Sequence, residues 1–413
     1  MRDALSFGHD FLWGAATAGH QVEGNNVNSD IWLLENLNTT VFKEPSGDAC
    51  NSFVLWEKDL DIARDLGLTC YRFSLEWARI EPAEGRFSPA MLDHYQRIID
   101  GCHTRGMEPV VTVNHFSSPL WFARQGGWTN PQAADHFERY CAKVGEAFAA
   151  QLRYVITFNE PNILRTLDVL GMPDAIWTLQ QAMLDEAASV TGDASFTAIN
   201  ACNRQDFAPM MAGLIAGHKR GRAALKKHNP ALQVGFSLAL LDDQAAGDAS
   251  LRDRKREENY ADWIAAAKDA DFIGVQNYER VVWGETGPLP VPDSAQKNKT
   301  GSWIDPTSLA NAAEYIHQAT GKPVMVTEHG LATDDDAQRA AFLEASLLHL
   351  AKSIDNGLPL LGYIHWTLLD NFEWVHGYNI CFGLCEVNRT TYERIPKPSA
   401  LHYRELIKKY RNQ

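Results

Sequence analysis

Cysteine is scarce in this 413-residue chain, and no two cysteines form a C-x-x-C pair. The seven, Cys50, Cys70, Cys102, Cys141, Cys202, Cys381 and Cys385, are odd in number and scattered. That pattern argues against a disulfide framework or a zinc ribbon and for reduced packing residues. Positive charge is also short: 38 Lys and Arg stand against 52 Asp and Glu, a net charge of −14. No basic block offsets this locally, so nucleic acid and anionic membrane surfaces are poor partners. No apolar run approaches the 18 or so residues of a membrane span. The opening "MRDALSFGHDFLWGAAT" has no signal-like apolar core, so a cytoplasmic location is the expectation. A Gly-rich phosphate turn is missing too, because "WGAATAGHQVEG" has glycines in the wrong pattern for a dinucleotide site.

What is present is a repeated alternation. Short apolar runs start near 11, 69, 109, 154, 232, 271, 323 and 360, and segments of helical period separate them. Strands joined by helices pair in parallel with right-handed crossovers. Eight such units close into a (β/α)8 TIM barrel, here expected as a single domain over residues 1–413 with its active site at the C-terminal ends of the strands. An open doubly wound sheet is the runner-up, weakened by the missing phosphate turn.

Two of these strands end in a carboxylate. "YVITFNEPN" stops at Glu160 because Pro161 cannot continue a ladder, and "PVMVTEHG" stops at Glu328. In a barrel both would face one mouth. Such a pair can bind a metal, given more ligands. It can also hydrolyse a glycoside, one group protonating the leaving oxygen and the other acting as base or nucleophile. The histidines near strand ends, His115, His329 and His365, do not force the metal reading. A separation of about 5–5.5 Å between the two carboxyl groups corresponds to retention of configuration. Arg72 in "YRFSLEWARI" is a candidate partner that keeps Glu328 ionised. Sugars also need aromatic faces. "IHWTLLDNFEW" gathers Trp366, Glu373 and Trp374 just after the last strand, and Trp77 lies near another strand end.

These segments resemble glycoside hydrolase family 1, the retaining β-glucosidase family, along essentially the whole chain. "FLWGAATAGHQVEG", "YRFSLEWARIEPAEGRF", "GGWTNP", "TFNEP", "DFIGVQNY", "VTEHG", "WTLLDNFEWVHGYNICFGL" and "IPKPSALHYRELI" occur in the family's order. The resemblance implies Glu160 as acid/base and Glu328 as nucleophile. It implies Asn159 on the sugar 2-hydroxyl, with Tyr278 and Arg72 beside the nucleophile. Gln21, His115, Glu373 and Trp374 match the hydroxyl-binding set, Trp366 the platform under the ring, and Phe382 an aromatic wall. It also implies a small β-glycoside substrate, no cofactor and no metal; nothing in the chain indicates an oligomer.

Glu373 would repel a phosphate, so free sugars are expected, and Glu160 argues against the thioglucosidase branch. The chain departs from the family at Phe116, at His329 after the nucleophile, in "VQNY", in "TAGH", and in a short loop after Pro161. A shorter rim suggests a mouth open to a bulky aglycone. Trp177, Trp283 and Trp303 fall in expected loops and are candidates for lining that side. Glu76 and Glu279 are read as solvated or salt-bridged. The alternatives are an inactive sugar-binding barrel, which would be expected to lose one glutamate, and a transglycosidase that uses the same residues.

Overall fold

The computed structural model describes residues 7–411. Eight parallel strands close on themselves in chain order. They are β1 Leu12–Ala16, β2 Cys70–Ser74, β3 Glu108–Asn114, β4 Tyr154–Asn159, β5 Gln233–Ala239, β6 Ile273–Gln276, β7 Val324–Glu328 and β8 Leu360–His365. The seam is β8 on β1, with Leu12 opposite Gly362 and Gly14 opposite Ile364. Glycine is needed at both seam positions. A Cβ on Gly362 would meet Leu12 Cβ at 2.7 Å, and one on Gly14 would meet Cys70 Sγ at 2.4 Å. The fold matches the expected (β/α)8 barrel.

The strands are covered on both faces, so they read as near-continuous apolar runs. Alternate residues still divide the work. Leu12, Cys70, Val110, Ile156, Met325 and Ile364 fill the barrel interior. Trp13, Tyr71, Val111, Val155, Val234 and Val326 pack outward against the helices.

The main helices are α1 Ser52–Asp65, α2 Pro89–Thr104, α3 Ala133–Phe148, α4 Ile163–Val169, α5 Asp174–Thr191, α6 Phe207–His228, α7 Arg252–Ala266, α8 Ser308–Thr320, α9 Asp336–Asp355 and α10 Pro398–Arg411. Their starts follow local chemistry. Ser88 accepts from Met91 N ahead of Pro89 at the start of α2, and Asp335 accepts from Ala337 N and Gln338 N at α9. In α3 the residues Ala134, Phe137, Tyr140, Cys141, Val144 and Phe148 form one buried stripe. Among the described residues no helix is long and apolar enough to cross a membrane.

Three features differ from the sequence expectation. Helices α4 and α5 fill the segment after Pro161 that was read as a loop. Residues Asp242–Ala245 pair in parallel with Arg280–Trp283, and Cys385–Val387 pair antiparallel with Arg394–Pro396, both outside the barrel. The third is a slip in register. From Ile156 to Asn159 strand β4 advances three residues while β5 advances two, from Gly235 to Ser237. Between β6 and β7 the same happens, with Val275 on Val326 and then Gln276 on Glu328. An extra residue re-aims the side chains that follow it. Both slips fall at the ends that carry Asn159, Glu160 and Glu328.

Candidate active site

Glu160 and Glu328 line one cavity of about 310 Å³ at the C-terminal mouth of the barrel. The size falls at the low end of small-molecule sites. The slip in β4 turns Thr157 and Phe158 outward, where Thr157 Oγ1 meets His218 Nδ1 at 2.8 Å and Phe158 stacks on Phe137 at 4.6 Å. Asn159 and Glu160 then turn inward. Glu160 adopts a left-handed backbone with φ of 41°, and the cavity residues Phe116 and Trp374 do so at 68° and 50°. Such conformations each cost about 1–3 kcal/mol and concentrate where a side chain must be aimed.

Arg72 is fully buried and joins three strands. Its Nη1 donates to Glu328 Oε1 at 2.6 Å and to Thr327 O at 3.0 Å. Its Nη2 donates to Asn159 Oδ1 at 2.6 Å, and its Nε to Thr112 Oγ1 at 3.0 Å. Tyr278 OH donates to Glu328 Oε2 at 2.7 Å. Gln276 Nε2 donates to Asn159 Oδ1 at 2.7 Å. With both donors on Oδ1, the Asn159 amide is oriented and its buried Nδ2 has no partner among the described residues. Gln21 Oε1, His115 Nδ1 and Gln276 Oε1 are likewise buried and unpartnered there. Of these, Asn159 and His115 line the cavity, where their free polar atoms can meet a hydroxyl.

The two carboxyls sit in unequal surroundings. Burial pushes the Glu160 carboxyl well above the usual range, the charge of Glu328 adds to this, and Arg72 opposes it. Burial also raises Glu328, but Arg72, Tyr278 and Gln276 pull against it with charge and hydrogen bonds. The carboxylate with the donors ionises first and keeps the other protonated. Burial and the nearby Arg72 charge hold His115 neutral.

An aromatic floor completes the cavity. Trp366 Nε1 donates to Glu373 Oε1 at 3.1 Å. The His115 ring lies parallel to Trp366 at 5.7 Å and to Trp374 at 6.2 Å. Phe382 meets Tyr278 edge-on at 5.5 Å. Gln21 lies behind this floor, its Nε2 donating to Phe372 O at 2.7 Å and to Asn371 Oδ1 at 3.2 Å. Burial raises the Glu373 carboxyl well above its usual range, against a hydrogen bond from Trp366. The residues that the family resemblance assigns to the site lie in the cavity wall, except Arg72 and Gln21, which lie behind it. Trp77 does not reach it, because its buried ring stacks on Tyr140 at 5.0 Å and its Nε1 donates to Glu81 Oε2 at 2.7 Å.

Other expectations need correction. Trp177 is a helix residue of α5, buried beneath Arg204 at 4.7 Å. Trp283 is a fully buried strand residue whose Nε1 donates to Asp243 Oδ1 at 2.6 Å. Trp303 makes backbone bridges to Arg280 and Lys297. None of the three lines the cavity: Trp177 and Trp283 are buried in regular elements, and half-buried Trp303 packs under Arg280 at 5.5 Å. His329 also turns away from it. Its Nδ1 meets Tyr363 OH at 2.9 Å, its ring stacks on Phe342 at 4.9 Å, and burial lowers its pKa to about 3. Glu76 is neither solvated nor ion-paired. It is fully buried and accepts from Asn26 Nδ2 at 2.6 Å, Ser117 Oγ at 2.5 Å and His20 N at 3.1 Å. Ile163, Leu164 and Leu167 of α4 line the cavity and were not anticipated. Their i, i+1, i+4 spacing was the available signal.

Comparison with known proteins bears on this arrangement. The sequence profile described as Glycosyl hydrolase family 1 matches residues 4–175 and 259–412. Beta-glucosidase A of Thermotoga maritima is 30% identical over 445 residues, covering 97% of this chain and 98% of that protein. Cytosolic beta-glucosidase of Homo sapiens is 29% identical over 469 residues, covering 98% of each. Among solved structures, the apo form of beta-glucosidase 1317 superposes with a TM-score of 0.93 at 36% identity, covering 97% of this chain and 98% of that one. Beta-glycosidase BGL167 does so at 0.89 and 40% identity, with 98% and 97% covered.

Proposed function

The chain belongs to glycosyl hydrolase family 1 and is a glycosidase, and from that premise we propose that it hydrolyses terminal, non-phosphorylated β-D-glucosides with retention, through a covalent glycosyl-enzyme. The observation that carries this reading is the unequal provision for the two carboxyls in one cavity. Glu328 has donors from Arg72 and Tyr278, and the Glu160 carboxyl accepts no hydrogen bond among the described residues.

In the first displacement ionised Glu328 attacks the anomeric carbon from below the ring. Protonated Glu160 gives its proton to the departing oxygen as that bond breaks. In the second, Glu160, now a carboxylate, takes a proton from water as the water's oxygen displaces Glu328 from the same carbon. The free Asn159 Nδ2 suits the 2-hydroxyl, where a hydrogen bond strengthens as positive charge builds on the ring. Trp366 offers the platform under the sugar, and Gln21, His115, Glu373 and Trp374 suit its other hydroxyls. Free sugars are favoured because no Lys or Arg lines the cavity among the described residues, so a phosphate would be buried beside carboxylates without a cation. The reading extends to a single catalytic barrel working in the cytoplasm, supported by seven free cysteines.

The test is a 2-deoxy-2-fluoro-β-glucoside with a good leaving group. It should inactivate the enzyme by esterifying Glu328, found by peptide mass spectrometry, and NMR of hydrolysis should show the β-anomer first. A label on another residue, or the α-anomer first, contradicts the proposal.

A further inference from the structure

The part of the cavity next to the acid has a different character from the sugar end. Helix α4 begins three residues after Glu160, and its Ile163, Leu164 and Leu167 line the cavity. Val375 and Ile380, from the segment after Trp374, line it as well. The polar groups outside the sugar end are Asn200, whose Oδ1 is buried without a partner among the described residues, and the exposed residues Thr300 and His376. The leaving oxygen must sit at Glu160, so whatever it carries departs along α4.

We propose that this leaving-group side is built for an apolar aglycone, an alkyl or aryl group, in place of a second sugar. The proposal rests on the glucosidase reading above and names the substrate class of that site. A second glucose would set several hydroxyls against aliphatic carbon, and each unpartnered hydroxyl costs free energy. An alkyl or aryl group instead removes apolar surface from water on both partners. Ile163 and Leu167 are half-buried, so each keeps a face available to a ligand, whereas Leu164 is buried beneath them. Ile163 and Leu167 are thus specificity-determining groups for the aglycone, with Leu164 packed behind them.

The experiment measures kcat/KM of the full chain on methyl, propyl and hexyl β-D-glucosides, on cellobiose and on 4-nitrophenyl β-D-glucoside. An alkanol is a worse leaving group than a sugar hydroxyl, so the comparison is weighted against the proposal. The expected result is a rise of about three- to fourfold per methylene along the alkyl series. Hexyl glucoside should exceed cellobiose by about tenfold or more. Leu167→Gln and Ile163→Gln should flatten that series, and Leu167→Met should keep its slope. Turnover of the nitrophenyl glucoside with a flat alkyl series, or with cellobiose preferred, overturns the aglycone assignment alone. No turnover of any β-glucoside overturns the glucosidase reading and this assignment with it.

Discussion

Replacing Arg72 by methionine removes a guanidinium that is fully buried and makes four hydrogen bonds, to Glu328, Thr327, Asn159 and Thr112. Methionine keeps much of the volume, so the loss is electrostatic. Removing one partner of a buried ion pair costs about 3–5 kcal/mol, because the remaining charge is stranded. An unfolding entropy of about 2.1 cal/mol/K per residue, over 413 residues, is about 0.9 kcal/mol/K. The expected fall in Tm at pH 7.5 is therefore about 3–6 °C, read by calorimetry.

The pH dependence gives a sharper check. Arg72 lowers the Glu328 pKa, so its removal leaves burial less opposed and the folded value rises further above that of the unfolded chain. A carboxyl with a raised folded pKa binds more protons folded than unfolded, so the variant loses stability as pH climbs from the unfolded value through the folded one. The deficit should be largest near pH 8 and shrink toward pH 5. A protonated nucleophile is inert, so kcat/KM at pH 7 should fall by about 100-fold or more. A variant with wild-type Tm, or with a stability deficit independent of pH, would refute the claim that Arg72 neutralises a buried carboxylate at Glu328.

Glu160→Ala should slow substrates with poor leaving groups by about 10²–10⁴-fold and spare a dinitrophenyl glucoside in its first step, since that group departs without a proton; equal loss on both rules out the acid role. Glu328→Ala should abolish hydrolysis, and added formate or azide should restore turnover by taking the vacated place; recovery without them contradicts the nucleophile assignment. Because Glu160 must hold a proton and burial raises its pKa, activity should persist below that raised value and fall above it. Glu160→Gln should erase this alkaline limb of kcat/KM, and an unchanged limb points to another acid. His20 lies parallel to Trp374 at 5.7 Å and pairs with buried Glu35 at 3.2 Å, so His20→Ala should raise KM for a β-glucoside more than it lowers kcat; an unchanged KM contradicts a role in holding Trp374.

The barrel was legible because its strands are buried on both faces and its helices are periodic. "YVITFNEP" and "PVMVTEHG" both announce a strand that ends on a carboxylate. What stayed hidden depends on partners distant in sequence. The slips between Ile156 and Asn159 on β4 and between Val326 and Glu328 on β7 exist only relative to β5 and β6. The left-handed turn at Glu160 comes directly after the first of them, and nothing in "FNEP" alone forces it. Helix α5 escaped because Ile176, Leu179 and Val190 are exposed and blur its stripe. The two small ladders are three or four residues long, below the length at which alternation can be counted. Trp177 and Trp283 were assigned to loops because tryptophan in an aperiodic stretch carries no signal of its own burial.

One side chain ties together the strands that carry Glu160 and Glu328. Arg72 reaches from β2 to Glu328 and Thr327 on β7 with one nitrogen, and to Asn159 on β4 with the other. Asn159 is the residue before Glu160, so the guanidinium fork spaces the two carboxyl-bearing strands directly. A lysine would retain the charge but not the fork, and could not bond both strands in fixed directions. Gln276 on β6 closes the set by binding the same Asn159 oxygen. The register slips and the fork solve the same problem from opposite sides. The slips re-aim Asn159, Glu160 and Glu328, and the fork binds Asn159 and Glu328 in fixed directions. The Arg72 and Tyr278 donors go to Glu328 while Glu160 receives none among the described residues, and this unequal division raises the Glu160 carboxyl further than the Glu328 one it sits beside.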